Sequence, residues 1–88
     1  MDEGDLNKIF SYPNLLIINL LLSLVNLTNR EKRVIELHYF NGYTIEQVSE
    51  LLQLSPRTIS STLQKLKKKC IKVFSTNQLA LEILKDNY

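Results

Sequence analysis

Eighty-eight residues with a net charge of +2, two glycines and one cysteine describe one small domain. A chain of this size buries only about 60 to 65% of the surface its unfolded form exposes. That leaves little room for an enzyme cleft and favours association with a partner. Cys70 alone excludes an internal disulfide, and no Cys/His cluster has metal-ligand spacing, which fits a reducing cytoplasm.

The charge is unevenly placed: net −3 over residues 1–52, +6 over 53–72 and −1 over 73–88. A positive field concentrated on one segment is the electrostatic footprint that nucleic acid requires, although a solvated lysine face has the same composition. Residues 1–12, polar and opening with Asp2, Glu3 and Asp5, are expected to form a loose N-terminus.

Tyr12-Pro13 marks the start of a first helix near residues 14–26, which is aliphatic on nearly every side except for a stripe of Asn19, Ser23 and Asn26. Leu15 to Val25 is too short to cross a bilayer, which takes roughly 18 to 20 apolar residues, and the acidic start is not that of a secretory signal. A soluble cytoplasmic protein without membrane contact is expected. So much apolar surface usually marks an interaction site. Leu16, Ile17, Leu20, Leu21 and Leu24 are therefore candidates for a homodimer seam or for contact with another protein. Alternatively, this helix and the C-terminal one wrap the domain and complete a five-helix core.

Thr28-Asn29-Arg30-Glu31 and Thr44-Ile45-Glu46-Gln47 are capping boxes, predicting helices near 29–41 and 45–52, with Gly42 suited to the left-handed conformation between them. Ser55 followed by Pro56 starts a helix near 56–71, and Ser75-Thr76-Asn77-Gln78 offers a further capping box for 76–86. No segment reads as a strand, so the expected fold is all-α.

Between Thr44 and Lys69 the apolar positions fall as in a helix-turn-helix. Val48, Leu51 and Leu52 form one face of the first helix, Leu54 lies in the turn, and Ile59, Leu63, Leu66 and Cys70 repeat along the second. Ser49 is the small residue expected where the two helices approach. At about 100° per residue, Arg57, Ser61, Gln64 and Lys68 point away from the apolar stripe. Arg57, Ser61 and Gln64 are candidates to read base edges, and Lys65, Lys67, Lys68 and Lys72 to neutralise phosphate. Thr58, near the positive helix N-terminus, is a candidate phosphate donor, and Ser60 completes the candidate set.

The string Leu27-Thr28-Asn29-Arg30-Glu31-Lys32-Arg33-Val34-Ile35-Glu36-Leu37, then Tyr39, Gly42, Thr44, Glu46-Gln47-Val48-Ser49, Leu52, Leu54-Ser55 and Thr58-Ile59, resembles the promoter-reading fourth region of bacterial sigma factors. It is also similar to the DNA-binding domain of LuxR-type response regulators. The resemblance covers roughly residues 27–70. The spacing from Leu27 to Gly42 is more sigma-like, whereas an added C-terminal helix is more LuxR-like. The latter likeness implies a dimerising role for Leu79, Ile83 and Leu84, with packing of that helix on its own domain as the alternative. The sigma likeness implies RNA polymerase or another transcription factor as a partner. Sigma-like recognition helices usually carry Lys or Arg where this chain has Ser60 and Thr62, and the usual turn glycine is replaced by Gln53. A complete sigma factor is not expected, for no segment is left over for promoter melting.

Catalytic chemistry is not expected. His38, the single histidine, has no neighbouring nucleophile or second ligand, and Cys70 continues an apolar stripe. Glu46 and Glu50 are helix-surface neighbours with nothing to raise a pKa, and there is no glycine-rich phosphate loop. No metal, cofactor or small-molecule substrate is predicted. The reading is a small transcription regulator that binds double-stranded DNA, expected as a homodimer. Its rival is a sigma-like interaction module that engages polymerase or another regulator through the apolar helix.

Overall fold

The computed structural model describes residues 1–87, and among them it contains six α-helices and no strand, as the all-α reading predicts. Contacts divide the chain into two compact units. One is Leu27–Leu66; the other joins Met1–Asn26 to the chain from Lys67 onward.

The Leu27–Leu66 unit begins with α3 (Asn29–Ile35), started by the predicted capping box. The Thr28 hydroxyl accepts from the Glu31 amide at 3.1 Å, and the Glu31 carboxylate accepts from the Thr28 amide at 2.8 Å. One helix is expected over 29–41, but the backbone widens into a π-helical turn at Glu36–Phe40, where the Asn41 amide donates to the Glu36 carbonyl at 3.0 Å. Apolar periodicity cannot distinguish this wider turn from an α-helical one. Gly42, at φ 73°, then turns the chain.

α4 (Ile45–Leu52) starts at the second predicted box, with Thr44 and Gln47 exchanging hydrogen bonds of 2.9 and 3.2 Å. It ends at Gln53, whose φ 56° and ψ 42° are left-handed, and the Leu54 amide reaches back to the Ser49 carbonyl at 3.0 Å. This is the αL termination that glycine normally supplies. A side chain in that conformation costs about 1–2 kcal/mol, offset in part by the extra freedom glycine has when unfolded. Gln53→Gly is therefore expected to raise stability by roughly 0.5–1 kcal/mol, read as a higher urea midpoint with an unchanged slope.

The buried apolar side chains of this unit are Val34, Ile35, Leu37, Val48, Ile59, Leu63 and Leu66. Ser49 is buried as anticipated, its hydroxyl donating to the Glu46 carbonyl at 2.7 Å. Leu51 is not on the inner face assigned to it: it is 56% exposed. The buried arc of α4 is centred between Val48 and Ser49, rotated by about 55° from the arc that Val48, Leu51 and Leu52 would define.

The second unit begins with a departure from expectation. Residues 1–12 do not form a loose tail, because α1 occupies Glu3–Phe10. Asp2 and Asp5 make a reciprocal capping box, the Asp5 amide donating to Asp2 at 2.9 Å and the Asp2 amide to Asp5 at 3.2 Å. The Asp5 amide is the main reason the Asp2 carboxyl sits below its ordinary value. Leu6, Ile9 and Phe10, spaced along one helical face, are buried.

α2 (Leu15–Ser23) is capped by the Asn14 side chain, which accepts from Leu16 at 3.0 Å. It stops short of the expected residue 26 because its last turn tightens, the Leu24 and Val25 amides donating to carbonyls three residues back. α5 (Pro56–Thr76) runs five residues past the predicted end. No glycine or proline interrupts it, and Phe74 extends the stripe one turn beyond Cys70, both fully buried. Asn77, rather than Ser75, then caps α6 (Gln78–Asn87), accepting from the Ala80 amide at 3.1 Å.

α2 touches α6 within this unit, where Ile18, Leu21, Val25 and Ala80 are buried. Leu21, expected at a partner contact, is thus a core residue with 0% exposure. Ile17, Leu24, Ile83 and Leu84 are half-buried, and Leu16, Leu20 and Leu79 are exposed.

Candidate nucleic-acid interface

The second helix of the helix-turn-helix is started by side-chain chemistry. Ser55 accepts from the Thr58 amide at 3.1 Å through its hydroxyl and from the Ile59 amide at 3.1 Å through its carbonyl. Pro56 occupies the first helical position, where its missing N–H costs nothing. Ile59, Leu63 and Leu66 face inward, which turns the opposite side of the helix to solvent.

On that outer side Arg57, Ser61, Gln64 and Lys65 are exposed. Lys68 and Lys72 are exposed further along the same helix, and Thr58, Ser60 and Lys67 are half-buried. None of these cations pairs with a carboxylate among the described residues, whereas Arg33 pairs with Glu36 at 3.0 Å. The helix spans 21 residues, about 31 Å at 1.5 Å per residue. Its first turn combines the positive end of the helix dipole with a guanidinium, an arrangement suited to an anionic backbone.

One candidate and one departure from the family pattern change meaning. The Thr58 hydroxyl lies 2.9 Å from the Ser55 hydroxyl, so it serves the helix cap before it serves any phosphate. Thr62 is only 7% exposed, with its hydroxyl donating to the Thr58 carbonyl at 2.8 Å. A missing cation there takes nothing from the outer face, so of the two departures only Ser60 weakens it.

Lys69 differs from its neighbours, since its ammonium donates to the Asn26 carbonyl at 3.2 Å. Position in a lysine run gives no hint of this tertiary bond. His38 also has a structural part. Its Nδ1 lies 2.8 Å from the Tyr43 carbonyl, which can only accept, so Nδ1 carries the proton. Among the described residues no group of His, Cys, Asp and Glu is placed to hold a metal ion, and no helix is long and apolar enough to cross a membrane.

No curated protein and no solved structure matches the chain. A family model described as "Sigma-70, region 4" does, over residues 17–70. Region 4 is a helix-turn-helix DNA-binding domain of a non-catalytic family. The matched residues take in the whole Leu27–Leu66 unit, with both capping boxes, the turn at Gln53 and the Ser55-Pro56 helix start. With more than half of its length matched and the helix-turn-helix formed by those residues, the chain belongs to the sigma-70 region 4 family.

Proposed function

We propose that this protein is a small sequence-specific DNA-binding transcription regulator that works in the cytoplasm. The observation that carries the reading is the outer line of α5, where Arg57, Ser61, Gln64, Lys65 and Lys68 stand exposed and the three cations have no carboxylate partner among the described residues. Arg57 and Gln64 read base edges, guanine and adenine being their best partners, while Ser61 tolerates several bases. Lys65, Lys67, Lys68 and Lys72 neutralise phosphates and set the register.

A second reading is supported by α2 and α6. Leu16 is 80% exposed, with Leu20 and Leu79 also in solvent. A charge-free helix carrying such a surface suits contact with a second copy, with RNA polymerase or with another transcription factor. In that case DNA contact through α5 is slight.

Titration of random-sequence duplex at several salt concentrations separates the two. Four phosphate contacts give a log–log slope of roughly −3 to −4, and Lys65→Ala reduces its magnitude by about one. No binding even at low salt would remove the DNA reading and leave the interaction module.

A further inference from the structure

The Leu27–Leu66 unit has a feature that DNA reading does not use. A groove of about 320 Å³ is lined by Tyr43, Gln47, Glu50 and Leu51. Two of its walls are apolar and stand in water, Leu51 at 56% and Tyr43 at 38% exposure. The volume is at the small end of the range for ligand pockets, enough for one or two side chains.

The groove is formed before anything enters it. The Tyr43 amide donates to the Leu37 carbonyl at 3.0 Å, and its carbonyl accepts from His38 Nδ1 at 2.8 Å. Both bonds come from the π-helical turn Glu36–Phe40, a kind of turn that recurs at functional sites. On the other side the Thr44 capping box fixes the start of α4. A wall already held in place loses little conformational freedom on binding.

Charge selects the occupant. α4 carries Glu46 and Glu50, both exposed, and no basic residue, whereas residues 53–72 are net +6. Phosphate is repelled from this surface, and a cation is attracted to it. We propose that the groove docks a cationic segment of a protein partner. An aliphatic side chain sits between Tyr43 and Leu51, and a Lys or Arg pairs with Glu50. The proposal does not depend on α5 binding DNA.

The probe is a fluorescein-labelled amphipathic peptide of leucine and lysine at helical spacing, with a leucine–glutamate counterpart as control. Added to the full chain, the lysine peptide should bind saturably and the glutamate peptide should not. Amide resonances should shift at residues 43–51. Leu51→Ser should weaken binding roughly tenfold, the loss expected from leaving one aliphatic contact unmade. Glu50→Gln should weaken it a few-fold, about what an exposed ion pair contributes. DNA titrations of both variants should match the unaltered chain, and the peptide result stands even if the chain fails to bind DNA. Three results would overturn the proposal: no saturable binding of the lysine peptide, equal affinity in both variants, or shifts located elsewhere. Sedimentation covers the remaining occupant: a dimer of the chain that Leu51→Ser dissociates would show that a second copy fills the groove, and this too would overturn it.

Discussion

Phe74→Ala should lower the stability of this protein by about 3–5 kcal/mol, the usual cost of deleting a buried aromatic side chain together with the cavity it leaves. Phe74 is the largest of the fully buried side chains and lies near the end of α5. The loss is a large share of the roughly 5–15 kcal/mol that holds a domain folded. Urea unfolding followed by helical circular dichroism should show the midpoint falling. Leu79→Ala is the matched control on α6. Leu79 is exposed, so its truncation should stay within about 0.5 kcal/mol. A Phe74→Ala protein as stable as the Leu79→Ala one would mean that the stripe does not continue past Cys70.

Arg57→Ala should cost about 1–3 kcal/mol on the preferred DNA site, the worth of a bidentate contact to guanine, and should flatten the preference at one base position. Arg57 is exposed one residue past Pro56, in the first turn of α5. The contrast is with Lys65→Ala, which should weaken binding about equally on all sequences because phosphate carries no sequence information. Selection of bound sequences from a random DNA pool, repeated for each variant, measures both effects. If Arg57→Ala lowers affinity evenly across the pool, the guanidinium is a phosphate contact and base reading lies with Gln64 and Ser61.

Features that depend on near neighbours were legible from the residues alone. Both threonine capping boxes and the Ser55-Pro56 start are side-chain bonds to backbone three residues away, and each appears where predicted. The stripe of Ile59, Leu63, Leu66 and Cys70 was equally readable, because helical periodicity determines which side is buried. α1 is hard to read from the sequence for a local reason. Its box is closed by Asp5 rather than by Glu or Gln, and an acidic terminus reads as disorder unless Leu6, Ile9 and Phe10 are weighed as a face. The end of α5 is ambiguous in the sequence because Ser75 and Asn77 are both good cap residues, and it is the Asn77 side-chain oxygen that accepts from the Ala80 amide.

What was not legible depends on contacts distant in sequence or on small rotations. The bond from Lys69 to Asn26 links residues 43 apart. Leu51 is exposed although its spacing with Val48 and Leu52 suggests an inner position, because a helix face read from spacing is uncertain by one position at its edges. Leu21 could not be told from Leu20 as core or surface, since α2 is aliphatic all round and only tertiary packing chooses its inner side.

Cys70, the one thiol in the chain, is fully enclosed within α5. An alkylating reagent can reach it only when that segment opens, so the labelling rate under native conditions, divided by the rate for the denatured chain, gives the equilibrium constant of opening directly. The protein therefore carries its own stopwatch for local unfolding, sited within the helix, and reading it requires no replaced residue.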